Sequence, residues 1–510
     1  MGEVSPQRDR TTTPAQELLA RDDLHVWVSN IGGAGMSAVA TLFAEQGHAV
    51  SGHDPASDTP FLAPMRALGV TVHTGSEHPP LPDDVDVVVT STATPEDVVA
   101  VAVACRRGLP VWHRSAALAA LCASRTTVAV AGTHGKSTTA AMLATILVGV
   151  VSGTSTACPH GSPSAAVCQE CDDDRPVAEA APGWVVGAPI PGLGRSATWG
   201  REGPLVVEAD ESDGTFLALP ATVALVTNVE PDHLEHYGDF DRLVDAFRQF
   251  LTTAPRQVVC ADDPVAADLA RDVGATTYGT DATADHRIEA LTTGRGGVSF
   301  RLTRDDGIAA QVELAVPGVH NARNAAAALV AAAQVGVPID VGAAALKGFA
   351  GVARRFELRG EWRGATLIDS YDHLPGEVAA VLRAAREGGW PRVVCVFQPH
   401  RYSRTEALWS SFADAFQQAD LLAVTDVYAA GEPERPGVSG KLVVDAVLEA
   451  HPWRHVAYLP RLDDVVAWLR TVLRPGDLCL TLGAGDLTTV PSRLIEAAAA
   501  AGGQPGAAHP

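Results

Sequence analysis

The sequence predicts an α/β protein of three domains: a Rossmann-like N-terminal domain, a central P-loop-type α/β domain and a C-terminal Rossmann-like α/β domain. Three observations carry this. Short apolar, β-prone runs alternate along the chain with helix-like stretches, the pattern of parallel sheets covered by helices. Glycine-containing turns join run to helix at two places, Gly32-Gly33-Ala34-Gly35 and Gly132-Thr133-His134-Gly135. The length, 510 residues, suits about three domains.

Composition narrows the function classes. With 46% apolar residues there is enough for several cores, and a net charge of −22 disfavours nucleic acid binding by bulk electrostatics. No run of about 18 apolar residues is present, so no membrane span is expected. Residues 1–22 are polar, without the apolar core of a signal peptide, and read as a disordered tail. The Ala/Gly/Pro-rich stretch 497–510 reads the same way. Eight cysteines in so long a chain are no disulfide scaffold; Cys105, Cys122, Cys260, Cys395 and Cys479 sit in apolar stretches and read as buried thiols, with the cytoplasm as the default compartment.

The first block, 23–122, opens with an apolar strand at 25–31, followed by the glycine turn, an amphipathic helix at 37–46 and a strand at 49–52 ending at Asp54. A glycine turn with an acid ~20 residues further on is the dinucleotide-type arrangement. It suits a dinucleotide, a nucleotide-sugar or no ligand. Asn30 stands where the first glycine is expected, and Asn tolerates positive φ. A second buried strand, 85–90, ends at Ser91.

The second block, 123–350, is organised around Gly132-Thr133-His134-Gly135-Lys136-Ser137-Thr138. An apolar run at 126–131 leads in, and an Ala/Leu/Met-rich helix at 138–147 follows. Glycines let backbone N–H groups approach phosphate oxygens, the helix N-terminus adds positive character, Lys136 reaches the terminal phosphates and the Ser137 hydroxyl suits Mg²⁺. The full P-loop has a glycine where Val130 stands, so an ordinary strand-to-helix turn is the competing reading. A strand at 204–208 then ends in Glu208, Asp210, Glu211 and Asp213, which suits Mg²⁺–nucleotide chemistry, or else a solvated acidic turn. A strand at 221–229 is followed by Asp232 and His233. Asn321 and Asn324, three apart, share the face of an Ala-rich helix; a cap plus a surface residue is the alternative there.

The third block, 351–496, has strands expected at 365–369, 392–397, 421–427 and 478–481, with helices at 375–386 and 405–418. His400, Arg401 and Arg404 follow one strand and form a candidate carboxylate clamp.

Three α/β blocks with these motifs in this order resemble the Mur ligases of peptidoglycan synthesis. The resemblance runs from about residue 24 to 487. It rests on Ile31-Gly32-Gly33-Ala34-Gly35-Met36-Ser37, Ala131-Gly132-Thr133-His134-Gly135-Lys136-Ser137, Glu208-Ala209-Asp210-Glu211-Ser212-Asp213, Asn228-Val229-Glu230-Pro231-Asp232-His233, His320-Asn321-Ala322-Arg323-Asn324, Gln398-Pro399-His400-Arg401 and Gly483-Ala484-Gly485-Asp486. It implies an ATP- and Mg²⁺-dependent ligase joining L-alanine to the carboxylate of UDP-N-acetylmuramate through an acyl phosphate. Its partners are then small-molecule substrates, and the chain is a monomer or homodimer. The resemblance gives Lys136, Glu208 and His233 catalytic roles, with Ser137, Glu208 and His233 serving Mg²⁺. It assigns ATP to residues Gly132 to Thr138 with Asn321, Asn324, Arg355 and Asp369. It assigns the UDP-sugar to Gly32, Gly33, Ala34, Gly35, Met36, Asp54 and Ser91, and the amino acid to Tyr371, His373, His400, Arg401 and Arg404. A relative using another amine or a muropeptide, and a non-catalytic nucleotide- or UDP-sugar-binding homologue, are the alternatives.

Two stretches depart from the family. Where it typically reads Asp-Asp-Tyr-Gly(or Ala)-His-His-Pro-Thr-Glu, this chain has Asp369-Ser370-Tyr371-Asp372-His373-Leu374-Pro375-Gly376-Glu377. One carboxylate is lost, one histidine becomes Leu374 and a small residue becomes Asp372, so an altered acceptor preference or weaker activity is expected. An insertion at about 152–181 carries Cys158, His160, Cys168 and Cys171, a candidate structural zinc set whose first pair is tightly spaced; incidental cysteines are the alternative.

Overall fold

The computed structural model describes residues 21, 23–57, 59, 61–92, 99–152 and 181–500, without the side chains of 235 and 497–500. The candidate zinc set Cys158, His160, Cys168 and Cys171 lies outside the described residues, as do nearly all of both terminal tails. The chain divides into two units: Met1–Ala290 with Phe300–Glu313 and Ala322–Phe349, and Leu291–Ser299 with Leu314–Asn321 and Ala350–Pro510.

The first unit starts with β1 (His25–Ser29), α1 (Ala34–Glu45), β2 (Ala49–Asp54), α2 (Leu62–Ala67), β3 (Thr71–Thr74), β4 (Val87–Thr90), α3 (Val99–Arg107), β5 (Val111–His113) and α4 (Arg114–Ala123). The strands form one parallel sheet in the order β3-β2-β1-β4-β5. Winding reverses between β1 and β4, which opens a crevice at their C-terminal ends. Val26, Val28 and Ile31 pack there against Leu42 and Phe43. β1 stops at Ser29, short of the apolar run that predicted it, because Asn30 turns to φ 52°. The asparagine does adopt the positive φ expected of it.

The second sheet takes in β6 (Thr127–Ala131), α5 (Lys136–Val151), β7 (Gly183–Val185), β8 (Ala197–Thr198), β9 (Leu205–Glu208), β10 (Val223–Val226), α6 (Leu234–Tyr237), α7 (Phe240–Thr253), β11 (Arg256–Cys260), α8 (Pro264–Val273) and β12 (Thr276–Gly279). It continues through β13 (His286–Gly294), β14 (Gly297–Arg304) and β15 (Gly307–Leu314), before α9 (Val319–Gln334) and α10 (Ile339–Leu346). The order is β15-β14-β13-β12-β11-β10-β6-β9-β7-β8. β6 lies at the centre, parallel to β10 on one side and β9 on the other. Its five residues are all buried, which is why they read as an unbroken apolar run. Phe216, Phe247 and Phe250 cluster beneath, ring centroids 5.4 and 5.1 Å from Phe216.

The two sheets of this unit are tied together at Glu45, the last residue of α1. Its carboxylate accepts from Arg195 Nη1 and Thr198 Oγ1 at 2.7 Å and from the Trp199 N–H at 2.6 Å. Trp199 stacks under the Arg125 guanidinium, 4.8 Å from the ring centre.

The second unit holds β16 (Glu357–Trp362), β17 (Ala365–Ser370), α11 (Pro375–Glu387), β18 (Val393–Phe397), α12 (Tyr402–Leu408), β19 (Leu421–Val424), α13 (Lys441–Ala450), β20 (Val456–Tyr458), α14 (Leu462–Val472), β21 (Leu478–Leu482) and α15 (Val490–Ala500). The sheet order is β16-β17-β21-β18-β19-β20, parallel except for the β16–β17 hairpin. The last strand in sequence is thus inserted between the first two parallel ones.

Two expectations are corrected. The helix expected at 405–418 is cut short: α12 ends at Leu408, a 3-10 turn covers Trp409–Phe412, and turns follow. Phe412 and Phe416 pack against Phe397 at 5.0 and 5.2 Å, tilted and edge-on, so the backbone is shaped by aromatic packing rather than by helix propensity. Cys105 is exposed on the last turn of α3, which buries only Ala100 and Ala104, whereas Cys122, Cys260, Cys395 and Cys479 are buried thiols.

Candidate active site

Most candidate side chains follow the C-terminal end of a parallel strand or the start of a helix; Arg355 precedes β16 and Asp369 lies within β17. After β1, the N–H of Gly32 donates to Asp54 Oδ2 at 2.7 Å, and Ala56 N–H donates to the other oxygen at 2.9 Å. A β-carbon at Gly32 would lie 2.8 Å from that carboxylate, so only glycine permits the closure. Asp54, 6% exposed, is therefore committed to shaping the turn. Met36 faces the core beside Phe43, while Gly33 begins α1 with no side-chain cap and no acid in the first turn. Ser91 follows β4 at the same edge of the sheet.

The glycine loop after β6 has the strand–turn–helix backbone its sequence predicts. Gly132 and Gly135 take φ 130° and 83°, and α5 begins at Lys136. The loop is braced from behind. His134 N–H donates to Asn228 Oδ1 at 2.8 Å, and the His134 carbonyl accepts from Thr227 Oγ1 at 2.6 Å and Asn228 Nδ2 at 3.0 Å. Thr133 Oγ1 accepts from the Glu230 N–H at 2.9 Å. Asn324, on α9, sits against Gly135, where a β-carbon would lie 2.7 Å from its Oδ1.

Lys136 donates to Glu211 Oε1 at 2.7 Å and to the Gly132 and Thr133 carbonyls at 2.6 and 3.2 Å. Burial, the largest influence on the ammonium, works to lower its pKa, but Glu211, Glu208 and Asp210 outweigh it and the net direction is upward. Glu211 is raised too, because burial costs its carboxylate more than one lysine returns. Beside this pair, Ser137 Oγ donates to Glu208 Oε1 at 2.7 Å, and the Gly187 N–H donates to Oε2 at 2.6 Å. His233 lies at φ 52° at the start of α6, with its N–H on Asp232 Oδ1 at 2.8 Å. Among the described residues no three His, Cys, Asp or Glu side chains converge on a metal position.

In the second unit, Tyr371, His373, His400 and Arg404 come together. The His373 ring is 5.5 Å from both Tyr371 and His400, and Arg404 Nη1 approaches His400 Nδ1 at 3.1 Å. Tyr428, which follows β19, stacks on His400 at 5.9 Å and 14°. Burial lowers His373; burial, His373 and Arg404 bring His400 down to about 4, so both imidazoles are neutral at pH 7. Arg401 is exposed at φ 67° and contributes its backbone, N–H to Tyr428 carbonyl at 2.8 Å.

Arg354 and Arg355 both lie over the Tyr371 ring, at 4.9 and 5.5 Å. Asp372 stands 3.8 Å from Arg355 Nη1 and accepts from Ser370 Oγ. Burial, then Glu377, pushes its carboxyl up to about 6. Asp369, 1% exposed, is spent on Thr481 and Thr488, each at 2.7 Å. Asn321 donates to the Pro317 carbonyl at 2.7 Å.

Two participants were not singled out from the sequence. Glu211 lay in plain sight within the run of four acids, but nothing local says that it, rather than Asp210, meets Lys136. Tyr428 had no signal; the parallel pairing of β18 with β19 and the bridge between His400 and Tyr428 bring it in.

Three sequence families match along the chain: the Mur ligase family catalytic domain at residues 27–126, the Mur ligase middle domain at 205–332, and the Mur ligase glutamate ligase domain at 354–485. A UDP-N-acetylmuramate–L-alanine ligase of Kineococcus radiotolerans is 42% identical over 476 residues, 91% of this chain and 94% of that one. One from Anaeromyxobacter sp. is 39% identical over 472 residues, 91% and 96%. The crystal structure of a UDP-N-acetylmuramate–alanine ligase from Thermotoga maritima matches with TM-score 0.75 at 25% identity, covering 94% of this chain and all of that one.

Proposed function

The chain belongs to the Mur ligase family, and from that premise we propose that it joins L-alanine to the carboxylate of UDP-N-acetylmuramate at the expense of ATP, in peptidoglycan precursor synthesis. The observation that carries the reading is the junction of β6 and β9. A glycine loop, a lysine, a hydroxyl and a carboxylate meet there, with Ser137 Oγ 2.7 Å from Glu208. All four serve the Mg²⁺–phosphate chemistry of ATP, which this reaction requires.

The chemistry is an encounter between anions. The muramoyl carboxylate attacks the γ-phosphorus of ATP, the β,γ-bridging bond breaks, and ADP leaves an acyl phosphate. The amine of L-alanine then adds to the acyl carbon, and phosphate departs with the tetrahedral collapse. Positioning and positive charge do most of this work. Lys136 holds the β- and γ-phosphates as a point charge, exchanging the Gly132 and Thr133 carbonyls for phosphate oxygens. The N–H groups at the start of α5 add to it. The donor set fits Mg²⁺. Ser137 and Glu208 offer hard oxygens side by side, and Mg²⁺ takes its remaining ligands from water and phosphate, so no protein cage is required. Bound there, with His233 serving a second ion, it would neutralise developing charge on the phosphate oxygens.

Residues 23–122 are assigned to the UDP-sugar, 123–350 to ATP and 351–496 to the amino acid. Gly32 to Met36 hold the diphosphate, with Asp54 setting the turn. The family resemblance assigns Asn321, Asn324 and Arg355 to ATP, whereas Asp369 braces its own sheet through Thr481 and Thr488. Arg404 takes the carboxylate of L-alanine, leaving its amine unbound. The neutral His373 and His400 form an uncharged wall that does not repel the ammonium. Among the described residues no helix is long and apolar enough to cross a membrane; the proposed ligase is taken as a cytoplasmic monomer or homodimer.

One observation favours a second reading. The Asp372 carboxylate adjoins the histidine cluster and sets its own negative charge near the amino acid, which suits an acceptor with a further ammonium group. ADP release with ATP, Mg²⁺ and UDP-N-acetylmuramate, run against a panel of amino acids, tests both. Turnover stimulated most by L-alanine supports the first reading. Stimulation by a diamino acid supports the second, and no turnover with any amine removes both.

A further inference from the structure

Arg114 opens α4 at the end of β5, outside every motif that carries the family resemblance. Its guanidinium lies directly on the glycine turn of the first sheet. A β-carbon at Gly35 would run into Arg114 Nη1, with Cδ and Cζ at 3.1 and 3.2 Å. The absence of a side chain at Gly35 is what lets the cation reach the uncapped start of α1. On its other side, Arg114 Nη2 faces Asp213 Oδ2 at 3.8 Å, longer than a charge-assisted hydrogen bond, with both side chains partly open to solvent. Asp213 belongs to the acidic run after β9 and is fixed by Thr215, whose N–H and hydroxyl donate to it at 3.1 and 2.5 Å. The field of Arg114 also reaches Asp210, adding the smallest share to the Ser212 hydrogen bonds and the Lys136 charge that keep it ionised against burial. One arginine thus stands between the turn that follows β1 and the acids that neighbour Lys136.

We infer that Arg114 is a substrate-binding residue that grips the diphosphate of the sugar nucleotide over Gly35, with Asp213 holding the guanidinium in place until the ligand arrives. This rests on the proposed placement of the diphosphate at the glycine turn. A guanidinium fork matches phosphate oxygens in a way that a single carboxylate 3.8 Å away does not exhaust. Binding exchanges a loose ion pair for a close one, and so the arrival of the sugar nucleotide releases Asp213 beside the ATP loop.

The test is calorimetric binding of UDP and, separately, of ATP to the full chain without catalysis. Arg114→Gln is expected to weaken UDP at least tenfold, to leave ATP within twofold and to keep the thermal midpoint of the wild type; Arg114→Lys falls between. Asp213→Ala, which cuts the same tie but keeps the arginine, is expected to bind UDP as tightly as wild type or tighter. Equal weakening of UDP by both substitutions means a structural brace and overturns the assignment. So does unchanged UDP affinity in Arg114→Gln, or a wild type that does not bind UDP. A wild type that binds UDP but ligates nothing sinks the proposed reaction and leaves this inference to the UDP result.

Discussion

Lys136 and Glu211 form an ion pair at 2.7 Å in which the carboxylate is 2% exposed and the ammonium 16%. In the proposed reaction the pair occupies the place where a phosphate is received. Its two halves therefore have separable jobs: the lysine is needed for turnover, while the glutamate is needed to keep the lysine's charge tolerable in a buried site.

Replacing the lysine alone strands a buried carboxylate. Lys136→Met is expected to abolish ADP release, by at least about 10²-fold, and to cost about 3 kcal/mol of stability. Adding Glu211→Gln removes the stranded charge. The double variant is expected to regain most of that stability and none of the activity. Denaturant unfolding and ADP release measured on the four proteins of the cycle check this, and additive stabilities would mean the pair is not coupled.

Asp372 gives a pH signature. Burial raises its carboxyl from the ordinary 3.8 to about 6, so the folded protein holds a proton here more tightly than the unfolded chain does. The stability this contributes is complete below about pH 4 and is lost as pH rises through 6. At pH 7.5 the folded state carries an ionised, poorly solvated group. Asp372→Asn is expected to raise the thermal midpoint at pH 7.5, by the equivalent of about 1–3 kcal/mol, and to match wild type near pH 4. A stability difference that does not change between those pH values would count against it.

Arg401 and Arg404 are neighbours in sequence with unequal prospects. Arg404 touches His400, whereas Arg401 is exposed and contributes its backbone. Losing a charge-assisted bond to the amino acid's carboxylate costs about 1.5–3 kcal/mol. Arg404→Ala is expected to raise KM for L-alanine about 10–100-fold with little change in KM for ATP. Arg401→Ala is expected to stay within about threefold. Steady-state kinetics with each substrate varied in turn decide it; equal effects would mean that Arg401 swings in.

Much of this was legible because its causes are local. The phosphate loop needs glycines at positive φ, a lysine and a hydroxyl, all within six residues, and Gly132 and Gly135 take those angles. Asn30 substitutes for a glycine because its own backbone preference allows it. What stayed hidden depends on strand order. Tyr428 reaches His400 only because β19 lies beside β18, and Asp369 is spent only because β21 inserts next to β17. The helix expected at 405–418 fails for a related reason. Its propensity is overruled by Phe397, which belongs to a neighbouring strand and draws Phe412 and Phe416 onto itself.

Both oxygens of Glu208 are engaged, one by Ser137 and the other by the N–H of Gly187. Between the end of α5 and that N–H runs the polar stretch 152–181. Its return is anchored by Gly183 on the Pro204 carbonyl, and by Glu45, which holds Thr198 and Trp199. Glu208 is thus held by fixed points on either side of residues 152–181. For an engineer this marks a splice site. A reporter or affinity handle threaded between residues 152 and 181 is expected to leave ADP release unchanged.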